Sequence, residues 1–318
     1  MVTRRWKNVA VIAAMVVGLA GNAFGQSYPE RIVEVVIPGT PGSSADIVGR
    51  VLMEGMAAQL GQRLIALNQP GAGGIVATIN VAQAKPDGYT LLHGAAWTLT
   101  AAPLTELHTP YTRKSFDPIC QTFKNDQVIV TKPNAYRNVA ELIDRNKAKP
   151  GGLNYGTPGV GTIPHLAMAE LSQIAKTEFN PVPFRGAGSI QATQAGHVDF
   201  AVSPLTAAAS SNLLMLGLFA SKRNPSIPDV PTVAEQGFDV APLSIGGLFA
   251  PAAIPADVRR KLEAACMAAM QTDTFKLMAK NTFQPSDFSG DSRIFSMNMD
   301  KDSEEKRRLL TSLGMVKN

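Results

Sequence analysis

Twice in this chain a short apolar run stops at a cluster of Gly, Ser and Thr, and a helix-patterned segment follows at once. No other feature limits the possible folds as much. The first instance runs Ile32-Val33-Glu34-Val35-Val36-Ile37, then Pro38-Gly39-Thr40-Pro41-Gly42-Ser43-Ser44. Residues 45–60 follow, with Ile47, Val48, Val51, Leu52, Met56 and Leu60 at helical spacing and Gly61 as a stop. In the second instance a strand ending at Asn154-Tyr155 meets Gly156-Thr157-Pro158-Gly159-Val160-Gly161-Thr162. The helix expected over 163–176 then carries Leu166, Leu171 and Ile174 on its apolar positions. Strand, loop and helix in that order form the unit from which α/β sheets are built.

Further units flank both. Residues 64–68 read as a strand, 70–74 as a glycine loop, 75–84 as a helix and 89–94 as a third strand. Beyond the second loop, residues 181–184 read as a strand, 185–189 as a turn, 190–195 as a helix and 200–202 as a strand. Largely parallel sheets are expected. A chain of 318 residues has room for two such lobes. Ligands of open α/β sheets bind beyond the carboxyl ends of the strands, where these glycine loops stand, so a cleft between the lobes is expected. Helical segments at 256–270 and 300–313 are assigned to the first lobe. That makes it discontinuous: domain 1 is residues 26–125 plus 245–318, and domain 2 is 126–244.

The first 25 residues stand apart. Arg4, Arg5 and Lys7 precede an uncharged apolar run, and Ala23-Phe24-Gly25 puts small residues where a signal peptidase cuts. A secretory signal peptide, a mature start at Gln26 and a periplasmic location are expected; the alternative is an uncleaved anchor. The net charge of +5 suits anionic partners in general. Basic residues are scattered without interleaved aromatics, which argues against nucleic acid. The short runs Arg259-Arg260-Lys261 and Lys306-Arg307-Arg308 sit among acids and are expected on solvated faces. Cys120 and Cys266 can pair in an oxidising compartment or remain buried thiols, and spacing does not decide between them.

Catalytic patterns are missing. His93, His108, His165 and His197 show no metal-ligand spacing, and no GxSxG elbow, dinucleotide fingerprint or Walker lysine occurs. An enzyme is therefore not expected, nor a cofactor or metal. The glycine loops offer backbone donors instead. The first N–H groups of a helix lack intrahelical partners, and its dipole favours negative charge there. Two helix starts facing across a cleft could grip a carboxylate. Ser43, Ser44 and Thr162 also suit plain helix caps, which is compatible with binding.

At this point the ordered segments resemble a known family, the tripartite tricarboxylate transporter receptors, or Bug solute-binding proteins. They include Asn68-Gln69-Pro70-Gly71-Ala72-Gly73-Gly74, Pro86-Asp87-Gly88-Tyr89-Thr90, Lys149-Pro150-Gly151-Gly152, Val182-Pro183-Phe184-Arg185-Gly186 and Pro228-Asp229-Val230-Pro231-Thr232. Gly247-Leu248-Phe249-Ala250-Pro251 completes the run, so the likeness spans nearly the whole mature chain. The resemblance implies a two-domain, type II periplasmic-binding-protein-like α/β fold closing on a small carboxylate: a di- or tricarboxylate, an acidic amino acid or an aromatic acid. It also implies membrane subunits of a tripartite transporter as partners and a monomeric receptor. A sensing subunit for a membrane kinase would use the same pocket and stays open. Mapped by the resemblance, the ligand-binding residues are Gly39, Ser43, Ser44 and Asp46 on the first loop and Gly156, Thr157, Gly159, Gly161, Thr162 and His165 on the second. Trp97, Thr98, Arg185 and Gly186 lie nearby. Asp46 is expected to orient a loop or a water, because its charge repels an anion. Trp97 can overhang the cleft or pack beneath a loop. The chain departs from the family pattern at Gly39, where Phe is usual, at Ser43 and Ser44, where glycines are usual, at Trp97, where a small residue is usual, and in a shortened 204–218 stretch.

Overall fold

The computed structural model describes residues 28–105, 109–159, 161–184, 188–285 and 287–316. The segment expected to be a signal peptide, His108, Arg185 and Gly186 lie outside them.

Two five-stranded mixed sheets form. The first contains β1 (Val33–Ile37), β2 (Leu64–Asn68), β3 (Thr90–Ala95), β4 (Phe116–Lys124) and β10 (Ile245–Pro251) in the order β2-β1-β3-β10-β4. β1 runs parallel to β2 and β3, with Val35 opposite both Ala66 and Leu91. Its side chains alternate. Val33, Val35 and Ile37 meet Val48, Leu52 and Met56 of α1 (Ser44–Leu60) and Leu262 of α8 (Ala256–Met270). Val36 faces the other layer, with Ile75 of α2 (Ile75–Ala82) and Trp97 of α3 (Trp97–Thr100). That period of two is why β-branched residues suit this strand.

The second sheet contains β5 (Gln127–Thr131), β6 (Asn154–Thr157), β7 (Asn180–Pro183), β8 (Phe200–Pro204) and β9 (Leu214–Phe219), ordered β7-β6-β8-β5-β9. α4 (Val139–Ala148) and α5 (Ile163–Ala175) cover one face, and α6 (Gly188–Ala195) and α7 (Leu205–Ala209) the other. Tyr155 stacks on Phe200 inside the α4–α5 layer, ring centroids 5.5 Å apart. The sheets are mixed rather than largely parallel. β10 runs antiparallel to β3 and β4, and β5 antiparallel to β8 and β9. These exceptions are the strands that enter or leave a lobe, so no crossover helix sets their direction.

The chain passes between the sheets at residues 125–126 and again between β9 and β10. The two crossings are tied together: Asn125 N–H donates to the Ser244 carbonyl at 2.7 Å, and Gln127 Nε2 donates to Ser244 Oγ at 3.3 Å. The C-terminal helices α8, α9 (Asp273–Asn281) and α10 (Ser292–Ser312) pack on the first sheet. α10 begins earlier than the expected 300–313, because Asp291 caps it by accepting from the Ile294 N–H at 2.8 Å. Lys306 also departs from expectation. It is not on a solvated face but is buried against Asp302, at 2.6 Å. Residues 299, 302, 306 and 310 share the inner stripe of α10, and that spacing outweighs the local run of charge. Cys120 and Cys266 form a disulfide between β4 and α8.

Candidate ligand-binding site

The first turn, residues 38–44, is held from beneath by one carboxylate. Asp46 accepts from the Gly42 N–H at 2.9 Å, from Asn68 Nδ2 at 2.9 Å and from Arg50 Nε at 2.9 Å. Asn68 Nδ2 also donates to the Gly39 carbonyl at 3.0 Å, and Arg50 donates to Asn68 Oδ1 at 2.9 Å. Burial pushes the Asp46 carboxyl up. The guanidinium of Arg50 and the Gly42 and Asn68 donors outweigh that and hold it below the usual carboxylate range. Asp46 is thus occupied with the loop, and Arg50, the cation of this turn, is occupied with Asp46 and Asn68. Ser43 takes the N-cap position of α1 without making the cap bond, and its Oγ is buried with no protein partner.

The second turn repeats the arrangement. Thr157 ends β6. Its carbonyl accepts from the Phe184 N–H at 2.8 Å, while its buried Oγ1 has no protein partner. Gly156 and Thr157 therefore belong to the strand and not to the loop that follows. Thr162 occupies the N-cap of α5 but turns its hydroxyl to the Gly159 carbonyl, 2.6 Å away. Gly161 N–H donates to His165 Nδ1 at 3.2 Å, so the ring serves the loop, and burial lowers the His165 pKa. Ser189, on α6, packs beside Gly156, and its Oγ is a third buried hydroxyl without a partner.

Trp97 joins the 70–74 loop to the second turn. A Cβ on Gly73, whose φ is +64°, would lie 2.7 Å from Trp97 Cζ2 and 3.9 Å from Thr162 Cγ2. Glycine is required there for both the backbone conformation and the approach of the indole. Trp97 is 8% exposed and shares one apolar cluster with Ile163 and Leu166 of α5. Of the two sequence alternatives, packing against a loop describes it better than an open overhang. Thr98 sits beside Gly74, and its carbonyl accepts from Tyr111 Oη at 2.9 Å.

The candidates named from sequence fall into three groups: Gly39, Ser43, Ser44 and Asp46; Gly156, Thr157, Gly159, Gly161, Thr162 and His165; and Trp97 with Thr98. The first loop is linked to the others through Pro38, which a Cβ on Gly74 would meet at 3.0 Å. Sequence reasoning did not single out Asn68 or Gly73, and in the 185–189 turn it named Arg185 and Gly186 and not Ser189. Ser189 carries the same signal as Ser43, a serine opening a helix after a glycine turn, but Arg185 dominated that turn.

Among the described residues, two of the cavities that lie elsewhere border charged side chains from both lobes. One of about 440 Å³ borders the crossings, lined by Lys124, Asp126, Arg223 and Ser244 among others. Lys124 pairs there with Asp287, Arg223 with Glu235 and Lys301 with Glu305, and Lys222 also lines the cavity. The other, about 620 Å³, lies between α5 and α10 and is bordered by Glu170, Asp239 and Glu305, which would repel an anion. Among the described residues no three His, Cys, Asp or Glu side chains gather as a metal site, and no helix is long and apolar enough to cross a membrane.

Two mixed α/β lobes joined by crossings, with glycine turns from both meeting at one seam, define a periplasmic-binding-protein type of solute receptor. Within that class the chain belongs to the tripartite tricarboxylate transporter family receptors, whose model, TctC, matches residues 48–315. A UPF0065 protein of Bordetella pertussis is 33% identical over 287 residues, 88% of each chain. The structure of periplasmic binding protein BugD is 26% identical with a TM-score of 0.80, covering 92% of this chain and 100% of that one. MatC of Rhodopseudomonas palustris with bound malate is 25% identical with a TM-score of 0.79, covering 89% and 100%. The family's members are substrate-binding receptors.

Proposed function

We propose that this receptor captures a small carboxylate between the 38–44 and 157–162 turns and delivers it to the membrane subunits of a tripartite transporter. The observation that carries the proposal is the set of three buried hydroxyls, Ser43 Oγ, Thr157 Oγ1 and Ser189 Oγ, none with a protein partner. A buried hydroxyl left unpaired costs about 1–3 kcal/mol, so three on the turns that end β1 and β6 and open α6 call for a ligand that accepts hydrogen bonds. The N–H groups at the starts of α1 and α5 add further donors. Pro164 removes one of those at α5. Malate bound to MatC, a relative of the same fold, supports the chemistry. The division of the chain at residues 125–126 and 244–245 is proposed as the hinge, and export with a start at Gln26 follows from the signal-peptide pattern.

Calorimetry with di- and tricarboxylates, acidic amino acids and aromatic acids tests the reading, with native mass spectrometry of freshly purified protein to reveal retained ligand. Thr157→Val should behave in an unusual way. It removes an unpaired group, so the ligand-free protein should become more stable by about 1 kcal/mol, while losing a charge-assisted bond of about 1.5–3 kcal/mol to the acid. Affinity should fall about tenfold or more. Undiminished affinity would remove Thr157 from the site.

Arg185 and Gly159 separate charge from backbone recognition. Arg185→Ala is expected to cost about 1 kcal/mol, as a peripheral charged contact. Gly159→Val should cost much more, because φ there is +155° and a side chain would stand beside Thr162. Abolished binding in a folded Arg185→Ala protein, with Gly159→Val close to normal, would make the arginine the anchor.

A further inference from the structure

Beneath α3 lies a buried ion pair that the binding turns do not use. Asp302 and Lys306, one turn apart on α10, are 1% and 4% exposed and meet at 2.6 Å. Asp302 Oδ2 also accepts from Thr100 Oγ1 at 2.6 Å, and Lys306 Nζ lies 3.5 Å from the same hydroxyl. Ser303 Oγ donates to the Thr100 carbonyl at 3.3 Å. Thr100 ends α3, the four-residue helix that begins with Trp97 and Thr98. A helix this short has almost no stability of its own, so its place is set by what holds its ends. Ala96, just before it, is fixed by its N–H bond to the Ile245 carbonyl at 2.8 Å, and the other end rests on the ion pair.

Removing two charges from water is costly, and well-packed apolar residues of similar size generally stabilise a fold as well or better. Stability is therefore a poor account of this pair. What apolar residues would not supply is a directed bond to one hydroxyl. We infer that Asp302 and Lys306 are positioning residues for carboxylate binding: through Thr100 they set where α3 places Trp97 and Thr98 against Gly73, Gly74 and the start of α5. The inference rests on the proposed site at these turns. It predicts that affinity depends on C-terminal side chains that never touch the acid.

The two tryptophans of the chain are Trp6 and Trp97, so protein lacking the first 25 residues carries Trp97 alone as a reporter. Thr100→Val keeps the ion pair and cuts its link to α3. The double variant D302L/K306M removes the pair in favour of apolar packing. Both should fold, the second with a thermal midpoint at or above that of the parent. In the absence of acid, both should shift Trp97 emission to longer wavelength and at least double its quenching by acrylamide. Both should raise the Kd for malate or adipate, whichever the parent binds, by about fivefold or more. Unchanged Trp97 emission in either folded variant overturns the inference, as does shifted emission with unchanged affinity. Should Thr100→Val fail to fold, the double variant decides. Should the parent bind neither acid nor any other of the panel, the site proposal fails, and the ligand-free emission still decides whether the pair positions α3.

Discussion

Cys266→Ala should lower the free energy of unfolding by about 3–5 kcal/mol, a large share of a typical domain's stability. The bond it breaks joins β4 to α8 across a sequence separation of 146 residues, with Cα atoms 6.5 Å apart. Everything from β5 to β10, including the whole second sheet, lies inside that loop. Closing a loop of about 100 residues restricts the unfolded chain by about 4.7 kcal/mol, and the dependence on length beyond that is weak. Both cysteines are fully buried, in a core with Val35, Leu52 and Leu248, so the bond also sits where solvent reductants reach it only on unfolding. Alanine is the cleaner replacement, because a serine hydroxyl would add the cost of a buried unpaired group. Urea unfolding should show a lower midpoint and a steeper slope, as the uncrosslinked denatured chain exposes more surface. Thiol titration of the denatured parent should find no free thiol. A midpoint equal to the parent's, with or without reductant, would contradict the pairing.

What the sequence made legible follows from how local each cause is. β1, β2 and α8 are plain in the sequence because their cause is local: apolar, partly β-branched runs bounded by turn residues in the strands, and apolar positions at helical spacing in α8. The two glycine turns are equally plain, since strand, turn and helix follow one another directly along the chain. Strand direction was not. β10 and β4 pair antiparallel across more than a hundred residues of intervening chain, and nothing in either strand records that. Lys306 was misjudged for a related reason. Its neighbours Arg307 and Arg308 are exposed, and only the partner Asp302 four residues earlier, with Met299 and Leu310 on the same stripe, marks it as inward. At the site, the residue types were readable and their employment was not. That Asp46 accepts from Gly42, Arg50 and Asn68 at once, leaving Ser43 Oγ without a partner, depends on Asn68 at the end of the neighbouring strand. Trp97 could be placed near the cleft by its position after β3, but its packing on Gly73 depends on a contact between two loops.

Stability should also fall as the solution is acidified from pH 6.5 to 4, and His93 should account for much of the fall. Its ring is fully buried under α1, with Nε2 2.9 Å from Thr122 Oγ1 and Phe123 edge-on at 5.8 Å. Burial pushes its pKa down to about 4, against a smaller upward pull from the Ala45 carbonyl and the Asp46 charge. The folded imidazole is therefore neutral until about pH 4, whereas the unfolded one protonates near 6.5. Between those values the unfolded chain binds the extra proton, so the unfolding free energy rises with pH across the window and is lost as pH drops through it. Above 6.5 neither state is protonated at this site, and below about 4 both are, so the slope from His93 vanishes outside the window. Integrated across it, the loss is about 3 kcal/mol. The ring also packs against Gly49 of α1, where a Cβ would lie 2.8 Å from Nδ1. The helix whose first turn carries Ser44 and Asp46 thus rests on it, and carboxylate affinity should decline in the same range. His93→Gln keeps a side chain able to bond Thr122 and removes the titration. Urea unfolding of both proteins at pH 7, 5.5 and 4.5 isolates the effect, because His165 and the carboxylates contribute equally to each. Parallel pH profiles for the two proteins, or a His93 ring resonance titrating near 6.5 in the folded state, would show that the buried imidazole is not the source.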